Sequence, residues 1–443
     1  MKKQVLGYFD VSMIVVSLVI GMGIFKTPGN VAREALTPDV FYLAWIFGGI
    51  TALCGALTFA EIGSRLPVSG GYYRIFSHSY HPAFAFMLNG TILLSNAASV
   101  AGVALIGAEY ISALVFHGTY SPAETETHRL VISAIEIILF FGLNMLGLKT
   151  SATAQNILTV FKLVVVAVLC CSVFVPAATT VALPPAGNLS SLDYLKSFGL
   201  CLIPISFTYG GYQQTINFGG EVENAPRTVP RAIITGMAIV IVLYLLINFV
   251  YVQVIGFDQL KSADSIASLL AERLFGASGG IALRFLLFFS VLAYVNVGLM
   301  SNPRVIMAMS EEKTLPALFS RHSRKFNVPV PALIAFTVAT IAILFFAKTF
   351  DQLVKYVIFL DSLGFIGAAF TIFILRRKKT GEEKTIYRLK LYPFVPALFI
   401  LAYGIITAAV ISDNWRYAFI GLCIFFAFLP LYFIFTVTRK KEQ

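Results

Sequence analysis

Two glycines, Gly21 and Gly23, interrupt the apolar segment Val11–Phe25 near the start of the chain. Glycine weakens a helix interior. An unpaired backbone N–H is costly in lipid, so loose backbone at membrane depth is tolerated only where protein buries it or where it lines a cavity. The amides freed at such a break, together with the dipole of the following half-helix, form an anion site. The pattern therefore predicts a site that would suit a carboxylate.

A second interruption, Gly210-Gly211, lies near the middle of another apolar stretch, 193–219. The second break comes five spans after the first, an odd number, so the second unit is expected to be inverted relative to the first. Glycine-interrupted spans in corresponding positions of two halves indicate the midplane binding site of a transporter. The alternative is that these glycines only allow helices to pack closely.

Apolar segments recur along the whole chain of 443 residues, of which 58% are hydrophobic and 12% are charged. About 20 apolar residues cross a bilayer core, so the predicted fold class is an all-α polytopic membrane protein. The first span follows Lys2 and Lys3 without a small-residue cleavage site, and we interpret it as retained rather than as a signal peptide. Twelve transmembrane helices are predicted, at 8–35 (broken), 39–65, 82–116, 130–148, 153–175, 193–219 (broken), 232–255, 280–303, 330–347, 353–375, 391–411 and 416–436.

The positions of the charged residues orient these spans. Placing both termini in the cytoplasm puts 22 of the 33 Lys and Arg residues inside and ten near the outer face, as the positive-inside rule requires, with Lys162 left within a span. The net charge of +11 therefore reflects topology, and no nucleic-acid partner is expected. The basic segment 376–390 is either a plain cytoplasmic loop or a contact to anionic membrane lipid.

Cysteine and histidine usage indicates no metal or disulfide chemistry. The five cysteines lie in or beside apolar stretches, and the five histidines lie in loops or at span ends without the spacing of metal ligands. Neither a disulfide framework nor a metal or other cofactor is expected. Intramembrane catalytic pairs are absent from the sequence, so the chain is not expected to be an enzyme.

Five motifs follow one another along the chain: GMGIF at 21–25, WIFGGITALCGALTFAEIGSRLPVSGGYYRIF at 45–76, LNMLGLKTSATAQNILTVFKL at 143–163, FTYGGYQQTINFGGEVENAPRTVPRAI at 207–233 and NVGLMSNPRVIMAMSEEKTLP at 296–316. In this order they resemble permeases of the amino acid–polyamine–organocation (APC) superfamily. Within it they look most like the L-type amino acid transporters and their bacterial relatives.

The resemblance implies a LeuT-type fold and alternating access around a central amino acid site. Two inverted five-helix repeats (5+5), here 1–180 and 190–378, would precede two accessory helices at 388–438 in a single domain, 1–443. In the family, amides of the unwound first span hold the substrate carboxylate, and carbonyls at the sixth-span break hold the ammonium group. The matching positions are Gly21, Met22 and Gly23 for the carboxylate, and Phe207, Thr208 and Gly210 with Ile20 for the ammonium group.

Three positions bear on which amino acid binds. Met22 replaces the family's serine, which leaves the backbone amide as a donor but narrows the cavity or changes the substrate preference. Tyr212 and Gln213 replace the Trp-Asn of L-type transporters, so the exact substrate stays open. Phe207 occupies the position of an aromatic residue that covers the site in relatives, and a core- or lipid-facing ring is the alternative.

Lys162 lies about ten residues from either end of the fifth span. A charge at a helix centre costs roughly 2.5–3.5 kcal/mol on insertion scales, and snorkelling reaches an interface best from near a helix end, so the side chain is expected to face the bundle interior. The resemblance implies that it replaces a sodium ion, and Leu292 and Ala293 stand where sodium-coupled relatives have hydroxyls. Lys162 is then expected to brace the first break or to exchange a proton, a structural ion pair being the alternative.

Other polar residues in the spans are also candidates. Asp361 in the tenth span is expected either to pair with a neighbouring helix or to take part in coupling. Asn296 either lines the cavity or bonds between helices, and Tyr209 is a further cavity or gate candidate. The remaining intramembrane charges are Glu136 in the fourth span and, nearer the interface, Glu109 and Arg284.

A group of opposite charges lies at the cytoplasmic ends of the spans. One interpretation is that they close an inner gate, which would need a network because exposed ion pairs are individually weak. The alternative is that these charges only orient the spans in the membrane. They are Glu61, Arg65, Glu221, Glu223 and Arg231.

The predicted function is sodium-independent secondary active transport across the inner or plasma membrane, by exchange or proton-linked uptake of a neutral L-amino acid. A polyamine or other organic-cation carrier of the same fold is the alternative, but it would need acidic cavity residues near the sixth and eighth spans, where few are present. No obligatory accessory subunit is expected, because the loop 117–129 lacks the cysteine that heavy-chain-linked relatives use.

Overall fold

The computed structural model describes residues 4–21, 23–115, 121–174, 190–263, 266–323, 326, 328–346, 350–382 and 387–441. These residues are mostly helical, and their extended pairing consists of two isolated bridges, Leu6 with Val222 and Ser69 with Phe218. The helices are α1 Tyr8–Val19, α2 Gly23–Glu34, α3 Pro38–Arg65, α4 Gly71–Ser79, α5 Pro82–Val115, α6 Pro122–Met145, α7 Leu148–Cys170, α8 Ser191–Thr208, α9 Ala225–Ile255, α10 Phe257–Ser262, α11 Ile266–Glu311, α12 Val330–Phe346, α13 Phe350–Arg377 and α14 Phe394–Lys441.

The helices agree with a polytopic membrane protein. Among the described residues, nine helical segments are long and apolar enough to cross a bilayer, with α1 and α2 counted together, and α12 is a shorter apolar helix. Their apolar side chains are not all inside: Phe394 on α14 is 77% exposed and Trp415 is 62% exposed. A soluble protein rarely exposes a large apolar surface, so the outer surface of α14 is typical of a helix in contact with lipid. By contrast, more than four-fifths of the residues in the most apolar stretches of α5 and of the first broken helix, α1 with α2, are buried.

Helical hydrogen bonding stops at both predicted glycine positions. α1 ends at Val19, Ile20 has a non-helical backbone (φ −75°, ψ 76°), and α2 begins at Gly23. α8 ends at Thr208, and after Gly211 the chain continues as a short 3₁₀ helix, Tyr212–Asn217. Gly211 has φ +113°, and a Cβ there would collide with the carbonyl of Leu18. Only glycine therefore allows the second break to lie against the end of α1.

Some helix boundaries differ from the predicted spans for local reasons. α6 begins at Pro122, eight residues before the predicted start at 130, because Ser121 and Glu124 form a capping box ahead of the apolar stretch. α11 includes a kink at Gly276 and α14 a turn at Asn414, where φ is −157°. The turn at Asn414 separates the two last predicted spans.

Candidate functional site

A cavity lies between the two helix breaks, with about 590 Å³ of space between its lining atoms when the part open to solvent is included. Its described lining comes from α1, α2, α5, α8, α11, α13 and α14 and from the glycines and glutamines that follow α8. Eight of the residues singled out from the sequence line it: Gly21, Gly23, Phe207, Thr208, Gly210, Gly211, Gln213 and Asp361. Met22 lies outside the described residues. The tertiary structure thus brings both breaks to one cavity.

At the first break, the free backbone amides are those that begin α2. The N–H of Gly21 donates to the carbonyl of Val19 at 2.8 Å, so it is already used locally. The first four N–H groups of a helix have no partner within the helix, and at α2 these start with Gly23. Since the positive end of the helix dipole lies there too, this end of the cavity attracts an anion.

At the second break, carbonyl groups are freed at the end of α8. The carbonyl of Phe207 accepts a hydrogen bond from the N–H of Gly210 at 3.1 Å, and that of Thr208 lies 3.3 Å from the hydroxyl of Tyr244. The N–H of Tyr209 also donates to the carbonyl of Phe207. A carbonyl oxygen has two lone pairs, so the carbonyl of Thr208, with the hydroxyl of Tyr244 beside it, retains capacity for a cation. The ring of Phe207 lines the cavity and is partly exposed there.

Tyr244, which was not among the residues predicted from the sequence, connects the two breaks. Its hydroxyl on α9 lies 2.9 Å from the carbonyl of Val19 and 3.3 Å from that of Thr208. The side chain is fully buried. A phenol in mid-membrane needs a hydrogen-bond partner, so its place in the apolar run at 237–250 was the available signal.

Lys162 on α7 is fully buried and reaches the first break from behind the cavity. Its Nζ donates to the carbonyl of Ile20 and lies 3.5 Å from Ser17 Oγ. In the described part of the cavity wall, neither Lys162 nor Ile20 is a lining residue. The ammonium group thus satisfies a carbonyl that the break has deprived of its helical donor.

Asp361 on α13 lines the cavity and is partly exposed. Ser95 on α5 donates to its Oδ1 at 2.5 Å. Next to it, three side-chain amides from different elements bond to one another: Asn96 Nδ2 donates to Asn302 Oδ1 at 2.7 Å, and Gln214 Nε2 donates to Asn96 Oδ1 at 3.1 Å. The cavity therefore has a polar wall that no single span indicated.

Two other candidates lie away from this cavity, as far as its wall is described. The ring of Tyr209 packs against Tyr244 at 5.1 Å and against Trp45 at 5.8 Å between ring centroids. Asn296 Nδ2 donates to Gln155 Oε1 at 2.7 Å, and Asn144 donates to Asn296 Oδ1 at 2.9 Å. Asn296 thus bonds between helices, which was one of its two expected roles.

Glu61 is completely buried and its carboxylate accepts four hydrogen bonds. The donors are Arg65 Nε (2.9 Å), Arg376 Nε and Nη2 (2.8 and 2.5 Å) and the N–H of Leu389 (2.8 Å). This carboxylate joins α3 to α13 and to the segment before α14. A buried charge needs such compensation, and the Glu61 cluster, as we call these four residues, supplies it.

The remaining predicted charges are spread around the structure. Glu221 pairs with Arg304 at 3.4 Å, whereas Glu223 and Arg231 form no ion pair with another described residue. Glu109 pairs with Arg129 at 3.7 Å and Arg284 with Glu272 at 3.5 Å, in half-exposed positions. Glu136 is 3% exposed, and within the described residues neither of its carboxyl oxygens has a hydrogen-bond partner.

Comparison with known proteins gives a family match over nearly the whole chain. A family model described as amino acid permease matches residues 6–440. The chain is 29% identical over 439 residues to the serine/threonine exchanger SteT of Bacillus subtilis, which covers 97% of this chain and 96% of that protein. It is 27% identical to mouse b(0,+)-type amino acid transporter 1 (100% and 89% covered) and 25% identical to mouse large neutral amino acids transporter small subunit 2 (100% and 82%).

Proposed function

Because the chain belongs to the amino acid permease family, we propose that it carries amino acids across a membrane by alternating access, as a secondary active transporter. The observation that carries this proposal is the single cavity that adjoins both helix breaks. One end of it offers the amides of α2 and the other the carbonyls that end α8, which matches the two charges of a zwitterion. The relatives named above are themselves described as amino acid exchangers or transporters.

The proposed binding mode assigns each break one group of the substrate. The carboxylate accepts hydrogen bonds from the amides at Met22 and Gly23, with Gly21 beside them. The ammonium group donates to the carbonyls of Phe207, Thr208 or Gly210. The carbonyl of Ile20 accepts a hydrogen bond from Lys162. It acts on the ammonium group of the substrate only through the electrostatic potential at the first break. The partly exposed ring of Phe207 covers the bound molecule.

We further propose the twelve-span LeuT-type arrangement, with repeats 1–180 and 190–378 and accessory helices in 388–438. Nine segments qualify as spans by length and composition. The 18 residues of α8 and the 17 of α12 supply two more, and the turn at Asn414 divides α14 into two, which raises nine to twelve. The charge distribution supports a cytoplasmic position for both termini, and the proposed membrane is the plasma membrane.

Two further proposals concern coupling and partners. Transport is sodium-independent and proceeds by exchange or with a proton. The ammonium group of Lys162 already donates to the carbonyl of Ile20, and the side chains of Leu292 and Ala293 have no hydroxyl that could bind sodium. The chain acts without a covalently linked accessory subunit, because residues 117–129 contain no cysteine.

The test is counterflow into liposomes containing the purified protein. Vesicles loaded with one unlabelled amino acid are expected to accumulate that labelled amino acid transiently, at equal rates in sodium and choline buffers. A panel of amino acids, with and without a pH gradient, separates exchange from proton-linked uptake. Uptake of no amino acid at all would refute the proposed function.

Gly23→Ala is expected to reduce counterflow at least about tenfold. A Cβ at this position would lie 2.8 Å from Thr208 Oγ1, so the start of α2 must move away from the end of α8, and a small displacement of binding groups is costly. Gly404→Ala is the matched control, since a Cβ there has no atom within 4 Å. Equal rates for the two variants would contradict the proposed geometry.

A further inference from the structure

Building on the proposed function, we propose that Asp361 selects the substrate's side chain, and that the preferred substrates are amino acids with a cationic side chain. The starting observation is a carboxyl group that lines the transport cavity near mid-span of α13. Phe365, one turn further along the same helix, also lines the cavity and lies 3.8 Å from the position of a Cβ on Gly210. Residues four apart share a helix face, so Asp361 and Phe365 present one face to the break in which the substrate is proposed to bind.

The charge of Asp361 has little compensation within the cavity. An ionised carboxylate has about four acceptor sites, and one hydroxyl, that of Ser95, donates to this one in the described structure. The titratable groups that interact with it from neighbouring elements are phenols, those of Tyr72 on α4, Tyr294 on α11 and Tyr403 on α14; the amide of Asn96 on α5 lines the same cavity. The described lining contains no lysine, arginine or histidine.

The exposure of Asp361 indicates where its missing partner comes from. Unlike Glu136, which is sealed between helices, Asp361 keeps part of its surface open, and it lines the space in which the substrate is proposed to bind. A buried charge is stable when an opposite charge bonds to it. Ammonium and guanidinium groups form the strongest such bonds to a carboxylate. A substrate whose backbone groups occupy the two breaks and whose side chain ends in a cation would supply this partner.

This inference changes the expectation of a neutral substrate. That expectation was based on the scarcity of acidic residues near the sixth and eighth spans, whereas the acidic residue of the cavity comes from the tenth. The ring of Phe365 and the phenols of Tyr294 and Tyr403 would contact the apolar part of a long cationic side chain.

The test compares lysine with norleucine, which has the same chain length without the ammonium group. Liposomes carry the wild-type protein, Asp361→Asn or the matched control Asp413→Asn, an exposed residue beside the turn in α14. We expect wild type and the control to take up lysine with an apparent affinity at least about tenfold higher than that for norleucine. Asp361→Asn is expected to lose that preference, with norleucine uptake retained, because truncation of a paired charge costs at least this much.

Several results would overturn the proposal while leaving the proposed function intact. Wild-type protein that transports norleucine but not lysine would do so, and this comparison does not depend on whether the variant folds. Equal loss of both substrates in Asp361→Asn would show a structural role. A variant that keeps its lysine preference but loses stimulation by a pH gradient would identify Asp361 as a proton site instead. Uptake of no amino acid by the wild type would refute the proposed function as well.

Discussion

Lys162→Met is expected to lower transport by about tenfold to a hundredfold, with the protein still folded. The substitution removes the donor to the carbonyl of Ile20, which is fully buried and lies at the end of α1. A hydrogen bond to a charged group contributes about 1.5–3 kcal/mol, and every 1.4 kcal/mol is about a factor of ten in the population of the competent state. The break would then relax to other arrangements, and fewer molecules would hold the α2 amides ready for a carboxylate.

Stability is expected to change less than transport in this variant. Lys162 itself is a buried cation, and replacing a buried charge by an apolar residue is often neutral for stability. Thermal unfolding in detergent and counterflow in liposomes, measured together, separate the two effects. Lys162→Gln keeps a donor without the charge and should be intermediate, and Lys196→Met, at an exposed lysine near the start of α8, should behave as wild type. Unchanged transport in Lys162→Met would contradict a role for this side chain at the break.

Glu61→Ala is expected to destabilise the fold by about 3–5 kcal/mol, the usual cost of removing one partner from a buried ion pair. The change would take the carboxylate away from the guanidinium groups of Arg65 and Arg376 and from the N–H of Leu389. Each guanidinium group would keep one backbone carbonyl as acceptor. Arg65 is only 4% exposed, so water cannot replace the carboxylate there. The contacts between α3, α13 and the start of α14 would loosen together.

The measurement is the free energy of unfolding, or the unfolding midpoint, of the purified protein. Glu382→Ala is the matched control, because Glu382 pairs with Arg388 at 2.9 Å but both side chains are at least 40% exposed. Exposed pairs contribute about 0–1 kcal/mol, so the control should lose little stability. Glu61→Gln keeps two acceptor sites and should lie between. Similar midpoints for Glu61→Ala and Glu382→Ala would show that the Glu61 cluster does not hold these helices together.

Much of the helical framework was predictable because membrane helices are encoded locally. A run of about 20 apolar residues is sufficient to define a span, and the described helices lie where such runs were found. The positions of the two breaks were predictable for a similar reason, since Gly21, Gly23, Gly210 and Gly211 weaken a helix through their own backbone freedom. The interior position of Lys162 followed from the cost of exposing its charge to lipid.

The helix boundaries that were less well predicted depend on chemistry outside the apolar runs. The capping box at Ser121 extends α6 beyond the hydrophobic stretch. A capping box is made of polar residues, so the hydropathy of the chain does not predict it. The N–H of Gly21 was expected to bind the substrate carboxylate, yet it donates to the carbonyl of Val19. A local turn of this kind depends on backbone angles that composition does not specify.

By itself the sequence determined which segments are apolar and long enough to span a membrane, where two of them lose helical hydrogen bonding and which charges are costly to expose to lipid, because each of these is the property of a short stretch of chain. Only the tertiary structure decided which groups meet. Ser95 and Asp361 are 266 residues apart, and Glu61 and Arg376 are 315 apart. Such pairs depend on how helices cross and rotate against one another, which packing of the whole bundle determines.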